Sequence, residues 1–193
     1  MIKAIIFDCF GVLVGDGWLA FRTKHFAGDK EKLARVVGLQ DMVNLGKMAY
    51  GDFIREVAKE ADLELEIVDR QVRRHAPNNE LFEYIKDNLK PKYKIGMLSN
   101  AGHNMVEELF DKDQLAVFDV VALSCDIGFI KPDERAYKDV ASKLGVDVSE
   151  CVHIDDQEAF VLGAKQVGMK AVLYKNLDLA KAGLEYLLAN SKN

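Results

Sequence analysis

Apolar residues follow two patterns along this chain: short continuous runs, and longer stretches with helical spacing. The short runs predict strands covered on both faces, at residues 2–7, 95–98, 119–123, 151–154 and 170–174. From the second run onward, each run is followed by a segment whose apolar residues recur at the 3.6-residue period of a helix. Strands that alternate with helices predict right-handed crossovers and an α/β fold with a Rossmann-like, doubly wound parallel sheet.

The stretch between the first two predicted strands is far longer than the other connections, and its pattern is helical. Asp52 is expected to cap a helix whose apolar face is formed by Phe53, Ile54, Val57, Ala58 and Ala61. Further along the chain, Pro132 is expected at the first position of a helix that ends at Gly145. We therefore predict a helical insert at residues 16–80, with residues 1–15 and 81–193 forming the core domain.

Composition limits the possible partners. The formal net charge of −5 argues against a nucleic-acid partner, which requires a basic face. No apolar run approaches the roughly 20 residues of a membrane span, and the apolar run at the N-terminus is too short for a signal peptide. The three cysteines have no CxxC spacing, so we expect neither a disulfide framework nor a zinc site. A cytoplasmic monomer or homodimer without a membrane partner is the expectation.

Polar residues follow several of the predicted strands. Asp8 comes directly after the first strand, Ser99 and Asn100 end the second, and Asp155 and Asp156 end the fourth. The loop that carries Lys131 follows the third. Because parallel strands with one hand of connection place their carboxyl ends at one edge of the sheet, these residues are expected to converge there.

The chemistry of this set points to a metal and a phosphate. Close carboxylates repel one another unless a cation lies among them, and all-oxygen ligation suits Mg²⁺. Ser99 with the backbone amides of Asn100 and Ala101 is expected to form an anion site at a helix start, and Lys131 adds a positive charge for a phosphate. Asp8 can act as a nucleophile that forms an acyl phosphate. The residues thus suggest transfer of a phosphoryl group to Asp8 and then to water.

Four segments resemble, in order, the four motifs of the haloacid dehalogenase (HAD) superfamily of hydrolases: IIFDCFGVLV, MLSNAG, GFIKPDERAY and VHIDDQEAFVLGAKQVGMKAV. The resemblance implies that Asp8 is the nucleophile and a metal ligand, and that Lys131 stabilises the charged intermediate. It also implies phosphate contacts from Ser99 and Asn100, and a metal anchor formed by Asp155 and Asp156. The insert at 16–80 resembles the α-helical cap of the dehalogenase-like and small phosphatase branches.

Two positions depart from the family pattern. The phosphatases usually carry a second Asp, the general acid and base, where this chain has Phe10. The backbone carbonyl of Phe10 can still reach a metal, but its side chain delivers no proton; Asp16 and His25 are the cap groups considered as substitutes. Phe160 stands where the fourth motif often has Asn or Asp.

Three functions stay open at this stage. The first is a Mg²⁺-dependent phosphatase that acts on a small phosphorylated metabolite through an aspartyl-phosphate. The second is a metal-free, dehalogenase-like hydrolase. That branch has an aromatic residue at the position of Phe10 but lacks the paired acids of the fourth motif. The third is a non-catalytic module that binds a phosphate ligand or a protein.

Overall fold

The centre of the molecule is a sheet of five parallel strands. The computed structural model describes residues 1–103 and 105–191, and within them the strands are β1 (Ala4–Phe7), β2 (Lys94–Ser99), β3 (Val120–Leu123), β4 (Cys151–Asp155) and β5 (Lys170–Leu173). They stand in the order β3-β2-β1-β4-β5. The chain therefore builds one half of the sheet outward from β1, then crosses back and builds the other half, which confirms the predicted doubly wound α/β fold.

The first four helices after β1 are α1 (Gly17–Phe26), α2 (Lys30–Asn44), α3 (Tyr50–Ala61) and α4 (Leu65–Val72). They pack around a hydrophobic cluster of their own, formed by Trp18, Phe21, Phe26, Val36, Val43, Phe53, Ile54, Val57, Ala58, Val68 and Val72. The apolar face predicted for the third of these helices is buried at its first four positions. The division of the chain into a cap at 16–80 and a core on either side stays a prediction.

Helices cover both faces of the sheet, because side chains alternate along each strand. Ile5 and Phe7 face one cluster together with apolar residues of α5 (Asn79–Tyr84), the π-helical turn Ile85–Leu89, α6 (Met105–Leu109) and α11 (Leu177–Ala189). Ala4 and Ile6 face the other, which includes residues of α9 (Glu134–Leu144) and α10 (Glu158–Gln166). Two four-residue helices, α7 (Lys112–Leu115) and α8 (Ser124–Ile127), and the 3₁₀ turn Val148–Glu150 complete the described elements.

Two predicted helix starts are wrong, and each is displaced by two residues or more. The third helix begins at Tyr50, so Asp52 lies in its first turn and makes no cap. The ninth helix begins at Glu134 rather than Pro132, because Asp133 accepts the free N–H of Arg135 and caps the helix. Its predicted end is confirmed, since Gly145 takes the left-handed conformation there with φ +66°.

The register of the sheet determines which residues meet at its carboxyl edge. Phe7, at the end of the central strand, pairs with Met97 on one side and with Ile154 on the other. Asp8, Ser99 and Asp155 therefore emerge from three neighbouring strands at almost the same height. Among the described residues, no helix has the length and apolar character needed to cross a membrane.

Candidate active site

Asp8 is the first residue beyond the central strand, and it is buried. Its backbone N–H still donates to the carbonyl of Ile154 at 2.9 Å, which continues the β1–β4 pairing and aims the residue at the edge of the sheet. Its side chain is 6% exposed and borders a cavity of about 340 Å³. Burial is the main reason that the pKa of Asp8 rises to about 7, with the nearby charge of Asp155 adding to the effect.

Lys131 joins two of the predicted acids. Its Nζ donates to Oδ1 of Asp8 at 2.7 Å and to Oδ2 of Asp155 at 2.6 Å, and its side chain is fully buried. Burial by itself opposes the positive charge, but the two carboxylates outweigh it and raise the pKa of Lys131 above the ordinary lysine value. The ammonium also lies 5.0 Å from the centre of the Phe160 ring. An aromatic ring thus stands beside this cation.

Asp155 is held by three groups. Besides Lys131, Nε2 of His153 lies 3.0 Å from its Oδ2, and the backbone N–H of Gln157 donates to its Oδ1 at 2.9 Å. Although burial acts in the opposite direction, Lys131 and His153 keep the pKa of Asp155 well below its usual range. Burial lowers the pKa of His153, so the imidazole is neutral and donates its Nε2–H to the carboxylate.

His153 is a site residue that the sequence reasoning missed. It lies two residues before Asp155 on the same strand. Residues two apart on a strand share a face, so this spacing alone could have placed the imidazole beside the carboxylate. Its ring packs edge-on against Tyr137 at 5.5 Å, which fixes its orientation.

The third acid, Asp156, completes a group that fits a divalent cation. Asp8, Asp155 and Asp156 each offer a carboxylate oxygen, and these atoms lie within 4.8 Å of one another. Oδ1 of Asp156 is buried and has no hydrogen-bond partner among the described residues. Burial and the charge of Asp155 raise the pKa of Asp156 to about 6. A hard cation with oxygen ligands would relieve both the repulsion and the unpaired oxygen, so these residues fit Mg²⁺. The carbonyl of Phe10 stays a predicted ligand.

Gly11 is required where the loop after β1 passes Asp156. Its φ of +84° lies in the left-handed region, and a Cβ built on it would lie only 2.5 Å from Cγ of Asp156. The loop can therefore approach the carboxylate closely only because this residue has no side chain.

The two side chains predicted to contact phosphate differ in their hydrogen bonding: the Ser99 hydroxyl is unpaired among the described residues, whereas the Asn100 side chain is hydrogen-bonded. Ser99 is fully buried and its hydroxyl has no partner among the described residues, but it is not one of the residues that line the cavity, so its phosphate contact stays a prediction. The side chain of Asn100 instead clasps the backbone of Lys131. Its Oδ1 accepts from the Lys131 N–H at 2.7 Å, and its Nδ2 donates to the Lys131 carbonyl at 3.0 Å. Asn100 thereby positions the lysine.

The expectation that the Ala101 amide binds phosphate at a helix start does not fit the structure. Its N–H donates to Oγ of Ser124 at 3.0 Å and is therefore already used. Among the described residues the following helix spans Met105–Leu109, so no helix N-terminus lies at Ser99–Ala101. Ala101 remains as part of the cavity wall.

The cavity lies between the sheet edge and the helical insert. Its insert side is rich in apolar side chains, among them Trp18, Val37, Val43, Phe53 and Val72, with Arg22, Gln40, Asp41 and Asn44 adding polar groups. Nε1 of Trp18 is buried and lacks a partner among the described residues. Trp18 belongs to the apolar cluster of the insert and also lines the cavity.

Phe10 forms part of the same wall, as does Asp16. The Phe10 ring lies 5.1 Å from the ring of His75, whose Nδ1 lies 2.9 Å from the carbonyl of Gly15. Asp16 lines the cavity and uses Oδ1 to cap α1. Burial raises the pKa of Asp16. His25 packs against Phe21 at 4.5 Å and is not part of the cavity wall, so of the two proposed substitute acids only Asp16 borders the site.

Comparison with known proteins agrees with this geometry. Phosphatase MT3486 of Mycobacterium tuberculosis is 26% identical over 200 residues, which cover 89% of this chain and 87% of that protein. A HAD-like hydrolase from Porphyromonas gingivalis has the same fold with a TM-score of 0.73 at 24% identity, covering 97% of this chain and 98% of that one.

A second similar structure is that of HAD family enzyme bt-2542 of Bacteroides thetaiotaomicron, in complex with magnesium and inorganic phosphate. Its TM-score is 0.69 at 21% identity, and the superposition covers 91% of this chain and 95% of that one. The model of the family described as haloacid dehalogenase-like hydrolase matches residues 2–168. The first three motifs, most of the fourth and strands β1–β4 lie within that match, and β5 follows it. The chain therefore belongs to the haloacid dehalogenase-like hydrolases.

Proposed function

We propose that this hydrolase is a Mg²⁺-dependent phosphatase that acts on a small phosphorylated metabolite through an aspartyl-phosphate on Asp8. The observation that carries the proposal is the position of the Asp8 carboxylate. It borders the cavity, with the Lys131 ammonium 2.7 Å away and with oxygens of Asp155 and Asp156 within 4.8 Å. A nucleophile, a fixed positive charge and a cation-binding group thus meet beside a space for substrate.

In the first step an oxygen of Asp8 attacks phosphorus. The bond from phosphorus to the leaving oxygen breaks, and that oxygen departs with the electron pair, which leaves an acyl phosphate on Asp8. Lys131 balances the negative charge of the attacking carboxylate and keeps its position through the Asn100 clasp. When bound by the three acids, Mg²⁺ would supply charge stabilisation for the phosphoryl oxygens.

In the second step water attacks the phosphorus of the acyl phosphate. The bond between Asp8 and phosphorus breaks, and the carboxylate keeps the electron pair. The protons of the water leave with the product as dihydrogen phosphate. His153 and Lys131 hold Asp155 ionised throughout, so the electrostatic environment of Asp8 is the same before and after turnover.

The cavity favours one class of leaving group. Phe10 cannot protonate a departing alkoxide, so the reaction should be fast only when the leaving group is stable without a proton, as in aryl or acyl phosphates. The aromatic and aliphatic wall formed by Trp18, Phe53 and Val72 suits a flat apolar group. Arg22 on the same wall offers a positive charge to a polar substituent.

A substrate panel with matched variants tests the proposal. Wild-type protein should release phosphate from aryl and acyl phosphates in the presence of Mg²⁺ and lose this activity with excess chelator. Asp8→Asn, a neutral variant of the same shape, should be inactive while retaining the fold. Turnover of any phosphate by Asp8→Asn at near the wild-type rate would overturn the assignment of the nucleophile.

The same assay separates the two rival functions. Chelator-insensitive release of halide from 2-haloacids, with no phosphate release, would establish the metal-free hydrolase, which the aromatic residue at position 10 favours. Mg²⁺ binding without turnover of any compound would establish the binding module.

A further inference from the structure

Cysteine spacing alone predicts no zinc site, but tertiary structure brings one cysteine beside a histidine and an aspartate. We propose that His103, Cys125 and Asp126 form a second metal site, selective for a borderline divalent cation such as Zn²⁺. The three residues offer a nitrogen, a sulfur and an oxygen, and these donor atoms lie within 4.8 Å of one another. None of the three takes part in the chemistry proposed at Asp8. The mixture of imidazole, thiol and carboxylate is characteristic of zinc ligation, whereas Mg²⁺ prefers oxygen alone.

Two of the three donor separations match those around a tetrahedral zinc ion, and the third lies within 4.8 Å. Nδ1 of His103 lies 3.3 Å from Oδ1 of Asp126, and Sγ of Cys125 lies 3.5 Å from the same oxygen. Zn–N and Zn–O bonds of about 2.0–2.1 Å and a Zn–S bond of about 2.3 Å, meeting at tetrahedral angles, separate N from O by about 3.3 Å and S from O by about 3.5 Å. A zinc ion therefore needs little rearrangement of these pairs.

The backbone already holds the two contributing segments together. Cys125 and Asp126 lie on the short helix α8, and His103 follows β2 in the chain. Ala101 N–H donates to Oγ of Ser124 at 3.0 Å, and the Cys125 N–H donates to the Ala101 carbonyl at 3.3 Å. The carbonyl of Asn44 accepts a further bond from Ser124 at 2.6 Å. The ligands thus stand on a frame that exists without the metal, which lowers the entropic cost of binding.

The surroundings leave room for an ion and for a fourth ligand. The side chains of His103 and Asp126 are 60% and 57% exposed, so a cation and a bound water can reach them. A Cβ built on Gly46 would lie 3.0 Å from Nε2 of His103. The insert therefore covers the far side of the imidazole and leaves Nδ1 turned toward Asp126. Three protein ligands with an open fourth position are a common arrangement for zinc.

Zinc titration of the full chain tests this site separately from the Mg²⁺ group. Metal-stripped protein with saturating Mg²⁺ is titrated with Zn²⁺ by calorimetry, and with Co²⁺ to record thiolate-to-metal charge-transfer absorption. We expect one equivalent of Zn²⁺ and a thiolate band with Co²⁺. His103→Ala and Cys125→Ser should each weaken Zn²⁺ binding at least about tenfold, since loss of even an outer-shell partner costs 10–100-fold. Asp126→Asn, which changes the shape of the side chain little, should also weaken Zn²⁺ binding.

Two controls show whether the ion binds at this cluster. Cys151→Ser removes a buried thiol elsewhere, and Asp8→Asn alters the acidic group; neither should change Zn²⁺ affinity or the Co²⁺ spectrum. The proposal is overturned if wild type binds no Zn²⁺, if His103→Ala or Cys125→Ser binds it as tightly as wild type, or if Asp8→Asn removes the binding. Inactivity toward phosphates would refute the proposed function but leave this result unaffected.

Discussion

Replacing Asp8 by Asn should stabilise the metal-free protein at neutral and alkaline pH, even though it removes the proposed nucleophile. Burial raises the pKa of Asp8 from 3.8 to about 7 in the folded protein. Between these two pH values the folded state binds more protons than the unfolded chain, so the free energy of unfolding falls as the pH rises. Asparagine has no such ionisation.

The size of the effect follows from the two pKa values. A carboxyl group with pKa 3.8 unfolded and about 7 folded lowers the free energy of unfolding by about 2 kcal/mol between pH 5 and pH 7, and by little more above pH 7.5. The stability of Asp8→Asn relative to wild type should rise by this amount over the same interval. The ion pair with Lys131 forms only when Asp8 is ionised, so its loss is already included in the folded-state pKa. The remaining offset comes from exchanging a neutral carboxyl group for an amide and is equal at every pH.

Urea unfolding in chelator at pH 5, 6, 7, 8 and 9 measures this difference, which corresponds to roughly 4–8 °C in Tm for a chain of this size. Added Mg²⁺ should reduce it, because a cation bound by the folded state stabilises the ionised carboxylate. Asp155→Asn is the matched control. The pKa of Asp155 is lowered on folding, so its contribution is present above the unfolded pKa and lost only in acid. That variant should be less stable than wild type at every pH of the series. Its difference should change with pH by less than that of Asp8→Asn, because only the part of the Asp8 pKa shift caused by the Asp155 charge is removed.

A stability difference for Asp8→Asn that stays flat from pH 5 to pH 7 would refute the reasoning. It would mean that Lys131 outweighs burial and keeps Asp8 ionised well below neutral pH. A rise for Asp155→Asn in place of Asp8→Asn would mean that the high pKa belongs to the other carboxyl of the pair.

Three further predictions concern the loop after β1 and the Lys131 clasp. The rate of wild type should fall steeply as the pKa of the leaving group rises, and Phe10→Asp at saturating Mg²⁺ should flatten that dependence, since a general acid contributes roughly 10²–10⁴-fold. Equal wild-type rates on alkyl and aryl phosphates would instead indicate a substitute acid. Loss of the activity on alkyl phosphates in Asp16→Asn would identify Asp16 as that acid. Gly11→Ala should weaken Mg²⁺ binding in calorimetry, because a Cβ there would lie 2.5 Å from Cγ of Asp156; unchanged affinity would count against Asp156 as a ligand. Asn100→Ala should lower the free energy of unfolding in urea by about 1–3 kcal/mol and lower kcat more than it changes KM, because both hydrogen bonds to the Lys131 backbone are lost. Asn100→Asp should recover only the hydrogen bond accepted from the Lys131 N–H. An equal effect of the two variants would contradict the role of these hydrogen bonds in holding Lys131.

The fold was predictable from the sequence, because local patterns specify it. The mainly apolar runs at 2–7 and 151–154 contain the buried strands β1 and β4, because strands covered on both faces carry apolar residues at consecutive positions. The rules for parallel strands then bring Asp8 and Asp155 together although nearly 150 residues separate them in the chain. The proximity of Asp8, Lys131 and the paired acids followed from this topology without any knowledge of side-chain contacts.

The partners of individual polar groups were decided only by the tertiary structure. The Ala101 amide was expected to face a phosphate, but Ser124, which lies 23 residues away, accepts its hydrogen bond. Asn100 lines the cavity, and its predicted phosphate contact stays a prediction; the two hydrogen bonds of its side chain go to a backbone segment 31 residues away, which no local pattern predicts. Distant segments compete for each donor and acceptor, and no local pattern records the outcome of that competition.

The cavity and the His103–Cys125–Asp126 cluster were likewise decided only by the tertiary structure. Trp18 and Arg22 reach the site only because the insert folds over the carboxyl edge of the sheet, and that packing is set by apolar contacts within the insert. His103 and Cys125 follow different strands, and they meet because β2 and β3 are neighbours and Ala101 bonds to Ser124 and Cys125. The sequence determined which residues stand at the end of each strand. The packing of the segments beyond those ends determined which of them touch.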